Sequence, residues 1–194
     1  MVCRGRHRLS STILGILASG GAAASAGTGY DSIATASLSG VSTTTFSAIP
    51  GTYKHLELRF IGLESGGNDT RLRFNGDTGS NYARHQFYAN RSTQAGAGTA
   101  STTYIKATNA FNGMSSTYPS VGIIQILDYA STTKNKVSRH FSGIDLGSSG
   151  TVDIMSGLWM NTAAITSITF EINGSGTTFG AGSSVALYGI KESA

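Results

Sequence analysis

The sequence predicts an all-β protein: an antiparallel β-sandwich of jelly-roll type carrying an extended N-terminal arm. Three observations predict it. Apolar segments at Ile123 to Leu127, Ile165 to Ile172 and Val185 to Ile190 are separated only by polar, glycine-rich spacers. The chain holds 26 Gly, and only 12% of its residues are charged, so good helix formers are scarce. Several segments alternate apolar and polar residues with period two, the signature of a strand with one wet face. No helix-length periodic segment follows residue 30, and no internal repeat is present.

Composition changes near residue 29. Residues 1–29 read as an N-terminal anchor, and residues 30–194 as one sandwich domain. A domain of that size buries ~70% of the surface its unfolded chain exposes, enough for a real core. In the arm, Arg4, Arg6, His7 and Arg8 precede a short apolar run that includes Ile13, Leu14, Ile16 and Leu17. Ala24-Ser25-Ala26 has the form of a signal-peptide cleavage site. The apolar run is nevertheless shorter than a signal peptide needs, and Ser19-Gly20-Gly21 interrupts it. It is far too short to span a bilayer. Ile13, Leu14, Ile16 and Leu17 are therefore expected to anchor the protein in an assembly, with no membrane span.

The elements follow in order. Tyr30 to Leu38 opens the domain as a strand ended by Gly40, and Val41 to Ile49 is a second, Thr-rich strand. Pro50-Gly51 is a turn pair. In Tyr53 to Leu63, Leu56, Leu58 and Phe60 lie on one face and Glu57, Arg59 and Ile61 on the other. Gly66 to Asp69 is a turn. Thr70 to Asn75 is a strand with Leu72 and Phe74 inward and Arg71 and Arg73 outward. Asn75-Gly76 is the strongest turn signal, because both residues accept positive φ at low cost. Tyr82 to Tyr88 is a strand, and residues 90–101, rich in small side chains, read as a loop that is mobile or held against a partner. Thr102 to Thr108 is a strand. Val121 to Tyr129 is almost continuously apolar and reads as a central strand buried on both faces. Lys134 to Lys136 is a charged hairpin turn into Val137 to Phe141. Val152 to Met160 carries Trp159, the only tryptophan, as a core or interface anchor. Ile165 to Ile172 and Ser184 to Ile190 close the domain. Strands at this spacing with glycine turns indicate a sandwich.

The residues that carry chemistry are few. Three of the charges behind the formal +4 are Arg4, Arg6 and Arg8, so the sandwich itself is close to neutral. Arg59, Arg71, Arg73, Arg84 and Arg91 share their region with Glu57, Glu64, Asp69 and Asp77. That mixture reads as a solvated strand face with cross-strand pairs, not a phosphate-binding surface, and no nucleic acid is expected. Cys3 is the only cysteine, so no disulfide forms within the chain. The histidines His7, His55, His85 and His140 have no nucleophile elbow beside them, and His85 and His140 read as satisfied sheet histidines. No cofactor motif or metal-ligand spacing is present, and Asn75-Gly76-Asp77 reads as a turn in preference to a calcium site. A glycosidase would need paired carboxylates, for which Asp128, Asp145 and Asp153 at strand ends are the candidates. Passive sugar or partner contact is easier to support, because Tyr82, Tyr88, Tyr104 and Tyr118 can stack on glycans or pack in an interface.

Several motifs recur in the order seen in one known family. They are YDSIAT, TFSAIPGTYKHLELR, LRFNGDTGSNYARHQFY, IIQILDYASTTKNK, SGLWMNTAAITSITFEI and SVALYGIK, which together cover roughly residues 30–191. In these the chain resembles small virion structural proteins of tailed bacteriophages; the segment TILGILASGG is similar to the N-terminal stretches of such proteins, and the first nine residues are not. The resemblance implies a virion-located, non-enzymatic protein of tail-fibre, tail-spike or head-decoration type. It implies other phage virion proteins as partners, a homotrimer, and contact with a host surface glycan if the protein sits on the tail. A capsid decoration protein and a secreted lectin-like carbohydrate-binding module are the competing expectations.

Overall fold

A computed structural model of the chain describes residues 29–63, 68–108 and 117–191. These form twelve strands: β1 (Tyr30–Ser37), β2 (Thr43–Phe46), β3 (His55–Gly62), β4 (Thr70–Phe74), β5 (Tyr82–Asn90), β6 (Gln94–Thr102), β7 (Ile105–Thr108), β8 (Ser120–Leu127), β9 (Lys136–Asp145), β10 (Gly150–Trp159), β11 (Ile168–Ile172) and β12 (Ser184–Ile190). The predicted antiparallel sandwich is the observed fold. An eight-stranded sheet runs β1-β12-β3-β8-β9-β10-β5-β6, and a four-stranded sheet, β2-β11-β4-β7, packs against it. Every pairing is antiparallel. The chain crosses between sheets at each step from β1 to β4, then adds the β5–β6 hairpin to the far end of the large sheet.

The core lies between the sheets and is assembled by period-two alternation. Leu56, Leu58 and Phe60 of β3, Val185 and Leu187 of β12, and Ile124 and Ile126 of β8 face Phe46, Leu72, Phe74, Ile168 and Phe170 of the small sheet. Phe60 meets Phe170 across the layers with ring centroids 5.5 Å apart, and Phe170 stacks on Phe179 at 5.8 Å. Trp159 is buried as expected, between Phe74 and Tyr82. Where a side chain from one layer must lie flat on another strand, glycine makes room. A Cβ on Gly189 would stand 2.3 Å from the Tyr53 ring, closer than any real contact.

The Asn75-Gly76 turn passes the chain from the small sheet to the large one. Both residues take positive φ, 53° and 67°, and the Asp77 N–H closes the turn on the Phe74 carbonyl at 2.9 Å. The Asn75 side chain also does a second task. Its Oδ1 accepts from the N–H groups of Thr166 (2.8 Å) and Ser167 (3.1 Å), and its Nδ2 donates to the Ala164 carbonyl at 2.8 Å. It thus clips the segment before β11 to the end of β4. Asn75→Ala loses these bonds and the tolerance of positive φ together. We expect it to lower stability by about 1–2 kcal/mol in chemical denaturation; Asn75→Gly, which keeps the backbone freedom, should recover part of that.

Two strands differ from the sequence reading. Residues 94–102 are not a loop but the edge strand β6, paired with β5 from Tyr82↔Thr102 to Ala89↔Gln94. Small uncharged side chains give no periodicity to read. The strand forms because Asn90 caps a tight turn, accepting from the N–H groups of Ser92 (3.1 Å) and Thr93 (2.9 Å), and lays the chain back along β5. The second correction concerns β8. It is central in its sheet, but only one of its faces is covered.

Candidate functional site

Strand register places a continuous apolar belt on the outer face of the large sheet. Partners across the strands run Phe87 of β5, Ile154 of β10, Phe141 of β9 and Ile123 of β8, ending on Arg59 of β3. The neighbouring row runs Ala89, Val152, Gly143, Val121 and Ile61. Val137 extends the face toward the other end of β9. Phe87, Ile154, Phe141 and Ile123 are 54%, 57%, 57% and 40% exposed. Eight of the twelve large hydrophobics that the described residues expose belong to this apolar belt. The apolar run of Val121 to Tyr129 predicts burial on both sides. The sandwich covers only the side carrying Ile124 and Ile126, because the small sheet lies on that side alone.

Toward β3, β12 and β1 the same face turns polar and aromatic. The Arg59 guanidinium lies over the rings of Tyr30 (5.2 Å) and Tyr188 (4.9 Å). Its Nε donates to Glu57 Oε1 at 2.8 Å, and that bond holds the guanidinium above its ordinary pKa. Glu57 is itself buried under these side chains and also accepts from Gln125 Nε2 at 3.0 Å. On the small sheet, Glu171 of β11 lies between Arg71 and Arg73 of β4, accepting from both, with the Arg71 guanidinium over the Tyr104 ring. Arg71 and Arg73 are thus engaged in a cross-strand pair, as the sequence predicted, whereas Arg59 pairs with Glu57 on its own strand.

Between the sheets lies a buried polar cluster. His140 Nδ1 donates to the Ala107 carbonyl at 2.9 Å. Its Nε2 is then the acceptor for the Ser138 hydroxyl at 2.7 Å. Burial pushes the His140 pKa down to about 4. Ser142 donates to Asp153 Oδ2 at 3.1 Å and is bonded to Thr108. A serine hydroxyl on an imidazole is the first half of a nucleophile pair. Here the second half is a carbonyl, and Ser138, His140 and Ser142 are all buried. The cluster fastens β7 to β9. His140 is the satisfied sheet histidine that its sequence context predicted.

The candidate carboxylates do not come together. Asp128 follows β8 and binds Lys134 Nζ at 2.8 Å, an ion pair that holds its carboxyl below the ordinary range. Asp145 ends β9 at the opposite end of the sheet, and Asp153 points into the core. Asp77 holds the turn after β4 and the core together. It accepts from Trp159 Nε1 at 2.7 Å, from Asn81 Nδ2 at 3.0 Å and from the Gly79 N–H at 2.8 Å, and the Trp159 bond above all keeps its pKa low. Among the described residues no group of three His, Cys, Asp or Glu is placed to hold a metal ion. No helix among them is long and apolar enough to cross a membrane.

The four tyrosines are not one site. Tyr82 is corrected outright: it is fully buried, its hydroxyl donates to the Asp77 carbonyl at 3.1 Å, and burial pushes its pKa up to about 12. It starts β5 on the side facing the small sheet, so alternation turns it inward. Tyr88 lies half-buried near the other end of β5. Tyr104 is half-buried beside the small sheet, its hydroxyl accepting from Asn173 Nδ2 at 3.2 Å. Tyr118 stands exposed just before β8. Ile13, Leu14, Ile16 and Leu17 lie outside the described residues. What sequence reasoning missed is the apolar outer face. Its signal was present as outward-phase Val152, Ile154 and Phe141, alternating with inward Asp153, Met155 and Ser142. No protein-family model, curated protein or solved structure matches the chain.

Proposed function

We propose that this chain is a non-enzymatic structural protein of a tailed-bacteriophage virion, anchored by its N-terminal arm and projecting the sandwich outward as a homotrimer. The observation that carries the reading is how the described side chains are used. His140, Asp77, Asp153 and Glu57, the groups best suited to proton chemistry, are committed to structural bonds, while the dominant surface feature is an apolar sheet face. Such a protein works by contact. The domain fits a jelly roll: β1-β12-β3-β8 faces β2-β11-β4-β7, with the hairpins β5–β6 and β9–β10 inserted and extending one sheet. A tail fibre or spike component contacting the host is the preferred position, supported by exposed Tyr118 and the Tyr30–Arg59–Tyr188 group.

An antibody against residues 30–194, viewed on particles by electron microscopy, tests this. Label confined to the tail is the expected result. Even label over the head would make the chain a capsid decoration protein, and unlabelled particles would overturn the virion reading. A secreted lectin-like module is the second reading, favoured by that same stacked arginine. A mature N-terminus following Ala26, together with glycan binding lost in Arg59→Ala, would establish it instead.

A further inference from the structure

We infer that the apolar outer face of β8, β9, β10 and β5 is the surface through which this chain binds another copy of itself. The inference deepens the reading above by giving its oligomer an interface, and depends on that reading only for the idea that copies stand side by side.

Area is the first argument. The exposed side chains of the face present on the order of 700 Å² of apolar surface, above the ~300–600 Å² of a typical monomer's largest patch. A stable complex needs ~800 Å² per partner, so the belt with its polar rim is of the right size. Shape is the second. Phe141 and Ile154 stand up from the sheet, and two residues beyond Phe141 the chain carries Gly143, which has no side chain to raise. The hollow beside it, about 400 Å³, is lined by Val121, Ile123, Phe141, Gly143 and Val152 and also by Arg59. Knob and hollow of matching chemistry on one face are what a second copy of that face needs in order to interdigitate. Charge is the third. The belt itself carries no charge, and at its rim Arg59 is already paired with the buried Glu57 and Arg139 is bonded to Gln125. A strongly charged partner would find no complementary field on the belt, whereas a copy of the chain brings the same uncharged apolar rows.

The test is the mass of the purified full-length chain in solution, by light scattering across a concentration series, for wild type and for Phe141→Thr/Ile154→Thr. Threonine keeps the strand preference and removes the apolar bulk. Wild type is expected as a multiple of the 20.0 kDa chain, and the double variant as a monomer with its thermal melt retained. The single variant Ile154→Thr, milder in its demand on folding, should weaken association at least tenfold. Val41→Thr, which alters an exposed apolar side chain beside β2 of the small sheet, should associate like wild type. Association that persists unchanged in Ile154→Thr and in the double variant overturns the inference. A monomeric wild type also overturns it, and leaves the face to residues 1–28 or to a different virion protein. Neither result depends on where the antibody binds particles, so the virion reading and the interface can fail separately.

Discussion

Trp159→Ala is expected to lower the unfolding free energy by about 4 kcal/mol, measured by urea denaturation followed by circular dichroism. The residue is the largest fully buried side chain and sits at the end of β10, where three parts of the fold meet. Its ring lies edge-on to Phe74 of β4, with centroids 5.6 Å apart, and stacks on Tyr82 of β5 at 6.3 Å. Truncation leaves a cavity between the two sheets where neither layer can collapse alone, because β4 and β10 are each held by their own ladder. It also removes the Nε1–H that Asp77 accepts at 2.7 Å. Trp159→Phe separates the two losses. It keeps most of the apolar volume but releases the carboxylate, whose pKa should move back up toward the ordinary range. That variant should cost less than the alanine, with the deficit largest at neutral pH and shrinking as the solution is acidified through the range where Asp77 titrates. A loss below ~1 kcal/mol for Trp159→Ala would show that the junction tolerates a void and that the sheets are held mainly elsewhere.

The sandwich was legible because its strands alternate. Leu56, Leu58 and Phe60 were assigned inward and are inward; Leu72 and Phe74 likewise, with Arg71 and Arg73 outward beside Glu171. The Asn75-Gly76 turn was legible from its chemistry, since few other pairs accept two successive positive φ values. The edge strand β6 was not, because Gln94 to Thr102 has neither alternation nor β-branched bulk beyond two threonines; pairing with β5 supplies all of its order. The outer face failed for a different reason. Apolar side chains on both faces of β8 were read as burial on both faces, which is the ordinary cause of such a run. A sequence records which side chains need cover and not which body provides it. The same limit explains Tyr82. Residue type suits tyrosine to surface stacking, and only its place as the first inward residue of β5 decides otherwise.

Acidification is expected to weaken the fold through His140. The ring is buried between β7 and β9, where desolvation holds its pKa down to about 4, against an ordinary value near 6.5. In the unfolded chain the imidazole takes up its proton as pH falls through that ordinary value, while in the fold it remains neutral. Stability is therefore full above the ordinary pKa and is lost progressively as pH falls toward about 4, the folded value. The total contribution is about 3 kcal/mol, most of it gone by the lower limit. Protonation would also convert Nε2 from acceptor to donor, so the Ser138 hydroxyl would have to turn away. Nearby on the same side of the sheet are Lys136 of β9, Asp153 of β10 and Lys106 of β7, which is paired with Asp69 at 2.7 Å. Burial lowers the Lys136 pKa too. His140→Gln isolates the effect, since an amide can donate to the Ala107 carbonyl and accept from Ser138 at every pH. The wild type should lose stability steadily between about pH 6.5 and pH 5, and the variant should be nearly flat there, as read from urea midpoints. Equal slopes in the two proteins would mean that the imidazole is reached by water or by a counter-charge, and that the cluster between β7 and β9 opens in solution.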